Sequence, residues 1–193
     1  MTEIVYYVAA SLDGFIAGPQ GELEWLMPFE NAATDYGMAA FIDTVDAVVM
    51  GRRTCEAVMS FGVWPYGERP GQVLSHQPRP PSASGLPQHM EWGPRSPQQL
   101  LAHWQRQGVR RGWLLGGGDA AGQFLRSGCV HRLMLATMPV TLGAGIPLWG
   151  SASHGRHALR WEERSRQCYD DGVVTRELQP LSAAGASETA PRA

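Results

Sequence analysis

A chain of 193 residues with a formal net charge of −2 offers no electrostatic case for nucleic acid, and no basic run concentrates one. Its 44% hydrophobic content is ordinary for a soluble globular protein, and no apolar stretch approaches the length needed to span a bilayer. Thr2-Glu3 stands where a signal peptide would carry basic residues, so a cytoplasmic protein is expected. The size suits one domain, read here as residues 1–180, with 181–193 as a small, polar tail without periodicity.

Taken in chain order, Ile4–Ala10 is a continuous β-prone run, the pattern of a strand buried on both faces. Ser11-Leu12-Asp13-Gly14 breaks it with turn residues. Apolar positions at helical spacing predict a helix from Thr34 to Val45, followed by a strand over Asp46–Met50 and a short helix over Thr54–Phe61. Gly62–Gly71 reads as loop and Gln72–Ser75 as a short strand. Residues 77–95 hold many of the prolines and read as an irregular connector. Ser96-Pro97 is a helix start and Gly108 its stop. A strand over 111–115, a helix around Ala120–Arg126 ended by Gly128, and a strand over Val130–Met138 come next. A hairpin closes the chain, His157–Tyr169 and Val173–Leu178 joined by Asp170-Asp171-Gly172. Strands alternating with helices predict a mostly parallel sheet with helices on its faces.

Cys55, Cys129 and Cys168 are an odd number and widely spaced, which argues against a disulfide framework and a structural zinc site. His154 and His157 lack a third ligand, so no metal site is expected.

Two glycine-centred turns carry the chemistry. Met50-Gly51-Arg52-Arg53-Thr54 and Gly116-Gly117-Gly118-Asp119-Ala120-Ala121 each follow an apolar run and lead into a helix. Glycine lets a backbone approach an anion, and the free N–H groups of a helix start point at it. Two such turns, one with paired arginines, suit a ligand with two separated phosphate groups. A dinucleotide has that shape, and the guanidinium groups favour the 2′-phosphate of NADPH. Gly116-x-Gly118-x-x-Ala121 alone falls short of the Rossmann fingerprint, because no acidic residue ends the following strand.

Ser11-Leu12-Asp13-Gly14-x-Ile16-Ala17, Val49-Met50-Gly51-Arg52-x-Thr54, Leu115-Gly116-Gly117-Gly118 and Leu142-Gly143-x-Gly145-x-Pro147-Leu148 occur in that order. The set resembles the dihydrofolate reductase-like superfamily. Within it the chain is most similar, over residues 3–178, to the reductase domain of the bifunctional riboflavin-biosynthesis deaminase–reductase and its stand-alone relatives. The resemblance implies a three-layer α/β/α fold, a mostly parallel central sheet with a C-terminal antiparallel hairpin, and NADPH as cofactor. It implies that Gly51, Arg52, Arg53 and Thr54 hold the adenosine side of the cofactor, and Ser75 is a further cofactor-binding candidate. Gly116, Gly117, Gly118, Asp119 and Ala120 would lie under its pyrophosphate. The Ala10, Ser11, Asp13, Gly14 and Ile16 loop would cover the nicotinamide and substrate. Relatives of this kind are commonly homodimers. The zinc deaminase of the bifunctional members, with its His-x-Glu and Pro-Cys-x-x-Cys, has no counterpart here.

Asp35 lies sixteen residues before Gly51, the separation at which dihydrofolate reductases carry their pterin-binding carboxylate. It is therefore a candidate catalytic and substrate-binding group, and equally a helix cap. Asp13 is either a second such group or the polar half of an Asp-Gly turn. Trp64 is a candidate pocket wall. The expected activity is NADPH-dependent reduction of a small heterocycle, foremost 5-amino-6-(5-phosphoribosylamino)uracil. The alternatives are dihydrofolate reduction and nucleotide binding without turnover.

Overall fold

A computed structural model describes residues 1–30, 34–151 and 158–181. Its strands are β1 (Glu3–Ala10), β2 (Phe15–Ala17), β3 (Ala47–Gly51), β4 (Gly71–Leu74), β5 (Met90–Gly93), β6 (Arg111–Gly116), β7 (Arg132–Thr137), β8 (Ile146–Pro147), β9 (Trp161–Cys168) and β10 (Val174–Pro180). Its helices are α1 (Met38–Ile42), α2 (Arg52–Ser60), α3 (Pro97–Arg106) and α4 (Gly118–Arg126). The eight-stranded sheet has the order β5-β4-β3-β6-β1-β7-β10-β9. The strands from β5 to β7 in that order run parallel, and the β9–β10 hairpin adds the antiparallel edge.

Alternation along β1 shows the three layers. Ile4 and Tyr6 join Leu100 and Trp104 of α3 and Phe124 of α4 on one face. Val5 and Tyr7 join Phe41 of α1 and Cys55 of α2 on the other. Both faces of the strand are thus covered, the arrangement a parallel sheet requires.

α3 is stopped and started as expected. The Ser96 hydroxyl accepts from Gln99 N, the Gln99 side chain accepts from Ser96 N, and Gly108 follows in the left-handed region at φ +78°. Gly128 ends α4 in the same way, at φ +63°.

Four elements depart from the sequence expectation. α1 covers Met38–Ile42 rather than 34–45, because Tyr36 and Gly37 turn left-handed (φ +53° and +87°) just before it. At its other end Arg69 donates to the Ile42 and Val45 carbonyls, which satisfies them outside a helix. Strand β5 lies inside the proline-rich connector, where it pairs with β4 from Gly71↔Met90 to Leu74↔Gly93. β2 and β8 form a separate two-stranded sheet from segments far apart in the chain. The tail beyond residue 181 and the His154, His157 pair lie outside the described residues. Among the described residues, no group of three or more His, Cys, Asp and Glu is arranged to hold a metal, and no helix is long and apolar enough to cross a membrane.

His131 ties the starts of β1 and β7 together. Its Nδ1 accepts from Ile4 N at 3.0 Å while the His131 backbone N–H donates to the Ile4 carbonyl at 3.0 Å. Burial holds the imidazole below its ordinary value of 6.5, despite the opposing charge of Glu3. A depressed folded-state value means stability that is present above pH 6.5 and is lost as the pH falls through the folded-state value. The urea midpoint is expected to fall on acidification below neutrality, and His131→Gln to flatten that dependence between pH 7 and 5. An equal slope in the variant would assign the loss to other groups.

Candidate active site

The two glycine turns meet at one place. β3 and β6 are neighbours in the sheet, paired as Val48↔Trp113 and Val49↔Leu114, and each runs out of its carboxyl end into a helix. α2 packs on one face and α4 on the other, so the crevice between them is a topological switch point, where α/β sheets bind ligands. A Cβ built on Gly51 would stand 3.7 Å from Ala120 Cβ, 3.8 Å from the Gly116 carbonyl oxygen and 3.8 Å from Gly117 N. One built on Gly117 would stand 3.5 Å from Thr54 Oγ1. Gly51, Thr54, Gly116, Gly117 and Ala120 therefore line a single cradle rather than two separated turns.

The helix starts at the cradle differ from the others. Among the described residues, neither α2 nor α4 has a side-chain hydrogen bond capping its first turn. α3 is closed by its capping box, and the Asp35 carboxylate accepts from Gly37 N at 2.9 Å and Ala39 N at 3.0 Å at the start of α1. The first amides of α2 and α4 are left for a ligand or solvent. Arg52 pairs with Glu56 of the same helix at 2.7 Å, whereas Arg53 is exposed and has no partner among the described residues.

Gly118 answers to packing. A Cβ there would collide with the Pro147 carbonyl oxygen and come within 2.7 Å of Gly150 N, because residues 147–151 strap across the start of α4. Asp119 holds the strap, accepting from Ser151 N and Oγ at 3.3 Å each. Tyr6, beneath Gly116, donates its hydroxyl to the Leu148 carbonyl at 3.2 Å.

The Ser11–Gly14 loop is fastened to the chain after β7. Ala10 is buried, and its carbonyl accepts from Met138 N at 2.9 Å. Leu12 N donates to the Val140 carbonyl at 2.7 Å, and the Gly14 carbonyl accepts from Leu148 N at 3.0 Å. Ile16 lies half-buried in β2, the strand paired with β8. The Asp13 carboxylate accepts from Ser11 Oγ at 2.6 Å, Gly143 N at 2.7 Å and Leu142 N at 3.1 Å. These bonds, that of Ser11 first, hold it below the usual carboxylate range. The amides of Ala39 and then Gly37 do the same for Asp35. Both acids are hydrogen-bond acceptors held in the ionised state, and each is engaged with backbone; neither is poised as a proton donor.

Ser75 is buried at the end of β4, with its hydroxyl spent on Gln77: it donates to the carbonyl and accepts from the N–H, both at 3.0 Å. Trp64 packs edge-on against Tyr66, and Tyr66 against Trp113, in the aromatic layer between the sheet and α1 and α2. Its indole N–H and that of Trp25 are buried without partners among the described residues. Trp25 packs with Ala9 and Ala136 near the ends of β1 and β7, a position no spacing in the sequence signalled. Cys55 is not a nucleophile: it is fully buried, and burial pushes its thiol up to about 11.

The domain is doubly wound α/β, and its switch point is lined by glycines and flanked by the two arginines that open α2. Comparison with known proteins narrows the class. The profile of the RibD C-terminal domain matches residues 2–175, and the chain belongs to that family. The chain is 32% identical over 146 residues to the protein YwjB of Bacillus subtilis (strain 168), covering 75% of this chain and 81% of that one. A putative riboflavin biosynthesis protein from Shewanella sp. PV-4 superposes with a TM-score of 0.82 at 27% identity, over 94% of this chain and 100% of that one. The Thermotoga maritima diaminohydroxyphosphoribosylaminopyrimidine deaminase/5-amino-6-(5-phosphoribosylamino)uracil reductase shares the fold, with a TM-score of 0.69 at 15% identity over 93% of this chain and 57% of that one. The fold is the dihydrofolate reductase-like α/β fold of RibD-type reductase structures, and the chain is a reductase-like member with riboflavin-biosynthesis relatives.

Proposed function

We propose that the protein is an NADPH-dependent reductase of a small heterocyclic substrate, with 5-amino-6-(5-phosphoribosylamino)uracil as the substrate that fits its relatives best. The observation that carries this reading is the convergence of two uncapped helix starts, from adjacent strands, on one glycine-lined cradle. Free amides at two positive helix ends suit a pyrophosphate, and the adjacent arginines suit a further phosphate monoester on the ribose. The residues present therefore fit the cofactor that the family implies.

Nicotinamide bound there would supply hydride; the protein's share is to hold, orient and keep water out. Gly51, Thr54, Gly117 and the first amides of α2 and α4 would hold the phosphates. The loop from Ser11 to Gly14, stapled by Asp13, would form a fixed wall beside the nicotinamide. Asp35, ionised and exposed, would accept a hydrogen bond from a ring N–H of the substrate, and the unpartnered indole N–H of Trp25 would donate one. A homodimer in the cytoplasm belongs to the same proposal.

Titration of the wild-type protein, read by energy transfer from its tryptophans, is expected to saturate with NADPH at lower concentration than with NADH. Oxidation of NADPH is then expected with the riboflavin intermediate and not with dihydrofolate. No binding of either nucleotide sinks the reductase reading. NADPH binding without oxidation by either substrate leaves a nucleotide-binding protein without turnover.

A further inference from the structure

α2 begins against the electrostatics of its own backbone. The positive end of a helix favours acids and disfavours cations in its first turn. Its first two positions are nonetheless Arg52 and Arg53, with no acid in that turn and no capping side chain. The compensating carboxylate comes one turn later: Arg52 Nη1 donates to both oxygens of Glu56, at 2.7 and 2.9 Å. Even this order is the weaker one, since an acid N-terminal to its base suits the dipole and here the base comes first. Helix stability does not account for the arrangement.

Orientation does. The Arg52 and Glu56 side chains are 32% and 34% exposed, partly covered rather than out in solvent. Glu56 takes one terminal nitrogen of the guanidinium, while Nε and Nη2 keep no partner among the described residues. A planar guanidinium pinned at one corner has the direction of its other donors restricted, and fewer rotamers are lost when those donors meet a phosphate. Arg53, with nothing to hold it, lacks that restriction.

We infer that Glu56 is a positioning residue: it presets Arg52 for the phosphate monoester of the nucleotide and so sets the preference for phosphorylated over unphosphorylated ribose. This rests on the nucleotide reading above. The opposing effect is simple repulsion, since a carboxylate near a phosphate site disfavours the anion. Removing the charge therefore has opposite signs under the two accounts. Repulsion alone makes the neutral variant bind NADPH more tightly; positioning makes it bind more weakly.

The test is titration of NADPH and NADH, by tryptophan energy transfer, into wild type, Glu56→Gln, Glu56→Asp, Arg52→Ala and the Arg52→Ala/Glu56→Gln double variant. Glu56→Gln is expected to weaken NADPH roughly five- to tenfold and leave NADH unchanged. Glu56→Asp restores part of the loss, and in the Arg52→Ala background residue 56 no longer matters. Unchanged or tighter NADPH binding in Glu56→Gln overturns the inference, as does an equal loss for both nucleotides. Wild type is measured first. If it binds neither nucleotide, or both equally, the parent reading has failed and the inference falls with it, a result distinct from a selective wild type indifferent to residue 56.

Discussion

Replacing Arg52 and Arg53 together by alanine is expected to weaken NADPH by roughly 30- to 150-fold while NADH loses no more than a few-fold. The estimate takes about 2–3 kcal/mol for charge-assisted hydrogen bonds to one phosphate at a partly exposed site. NADH is the internal control, because it shares the pyrophosphate and lacks the monoester. Any attraction that the arginines exert on the pyrophosphate appears in both titrations and cancels in their ratio. Raising the ionic strength should shrink the NADPH advantage of wild type and leave the double variant almost unaffected, since the arginines are exposed or half-buried. The titrations are best run alongside a melting curve, as neither arginine packs in the core. Equal losses for the two nucleotides would remove the arginines from discrimination and leave the cradle a general phosphate site.

Gly118→Ala is expected to cost about 3 kcal/mol of stability, the cost of forcing a methyl into packed backbone. The melting temperature should fall by about 6–12 °C for a chain of this size. The neighbours are what make this position costly. The added carbon would meet the Pro147 carbonyl, Gly150 N at 2.7 Å and Gly150 Cα at 3.0 Å, none of them the free end of a flexible side chain. Relief requires lifting the 147–151 strap off α4, which also breaks the bonds from Ser151 to Asp119. Gly51→Ala is the contrasting substitution. Its nearest neighbours would lie at 3.7 and 3.8 Å, ordinary contact, so the fold should lose only the roughly 1 kcal/mol by which Ala is a poorer helix N-cap than Gly. The methyl would stand at the cradle, and nucleotide affinity should fall instead. A stable Gly118→Ala that binds NADPH poorly would mean that this glycine serves the ligand and not the strap.

That contrast shows how unevenly one glycine-rich motif divides its work. In the sequence, Gly116-Gly117-Gly118 reads as one phosphate turn. In the structure Gly117 faces Thr54 across the cradle, and Gly118 is where the 147–151 strap comes closest. Asp13 and Asp35 divide similarly between alternatives that local chemistry left open. Asp13 meets the amides of Leu142 and Gly143, about 130 residues away. Asp35 meets the amides of its own helix start, two and four residues on. The second was readable as a cap; the first was beyond any local pattern. Glu56, which the sequence reading did not single out, gains its importance from where the start of α2 lies.

Local chain chemistry was sufficient for most of the elements. Apolar runs mark β1, β3, β6 and β7, the Ser96 and Gln99 pair starts α3, and Gly108 and Gly128 stop their helices at positive φ. Those signals depend on neighbours within a few residues, so the sequence carries them whole. It also carries the two glycine turns at helix starts, and the arginines beside one of them, on which the proposed nucleotide reading rests. The tertiary structure alone decided that β3 and β6 lie side by side, that Gly51 and Gly117 face one cradle, and that the 11–17 and 140–151 segments are stapled together. Strand β5 belongs with these: four residues between prolines have little β signal until Gly71–Leu74 offers them a ladder. The physical reason is common to all of them. Each depends on backbone groups brought together by crossovers between distant strands, and the partner of a hydrogen bond across a sheet is not encoded in the residues that flank it.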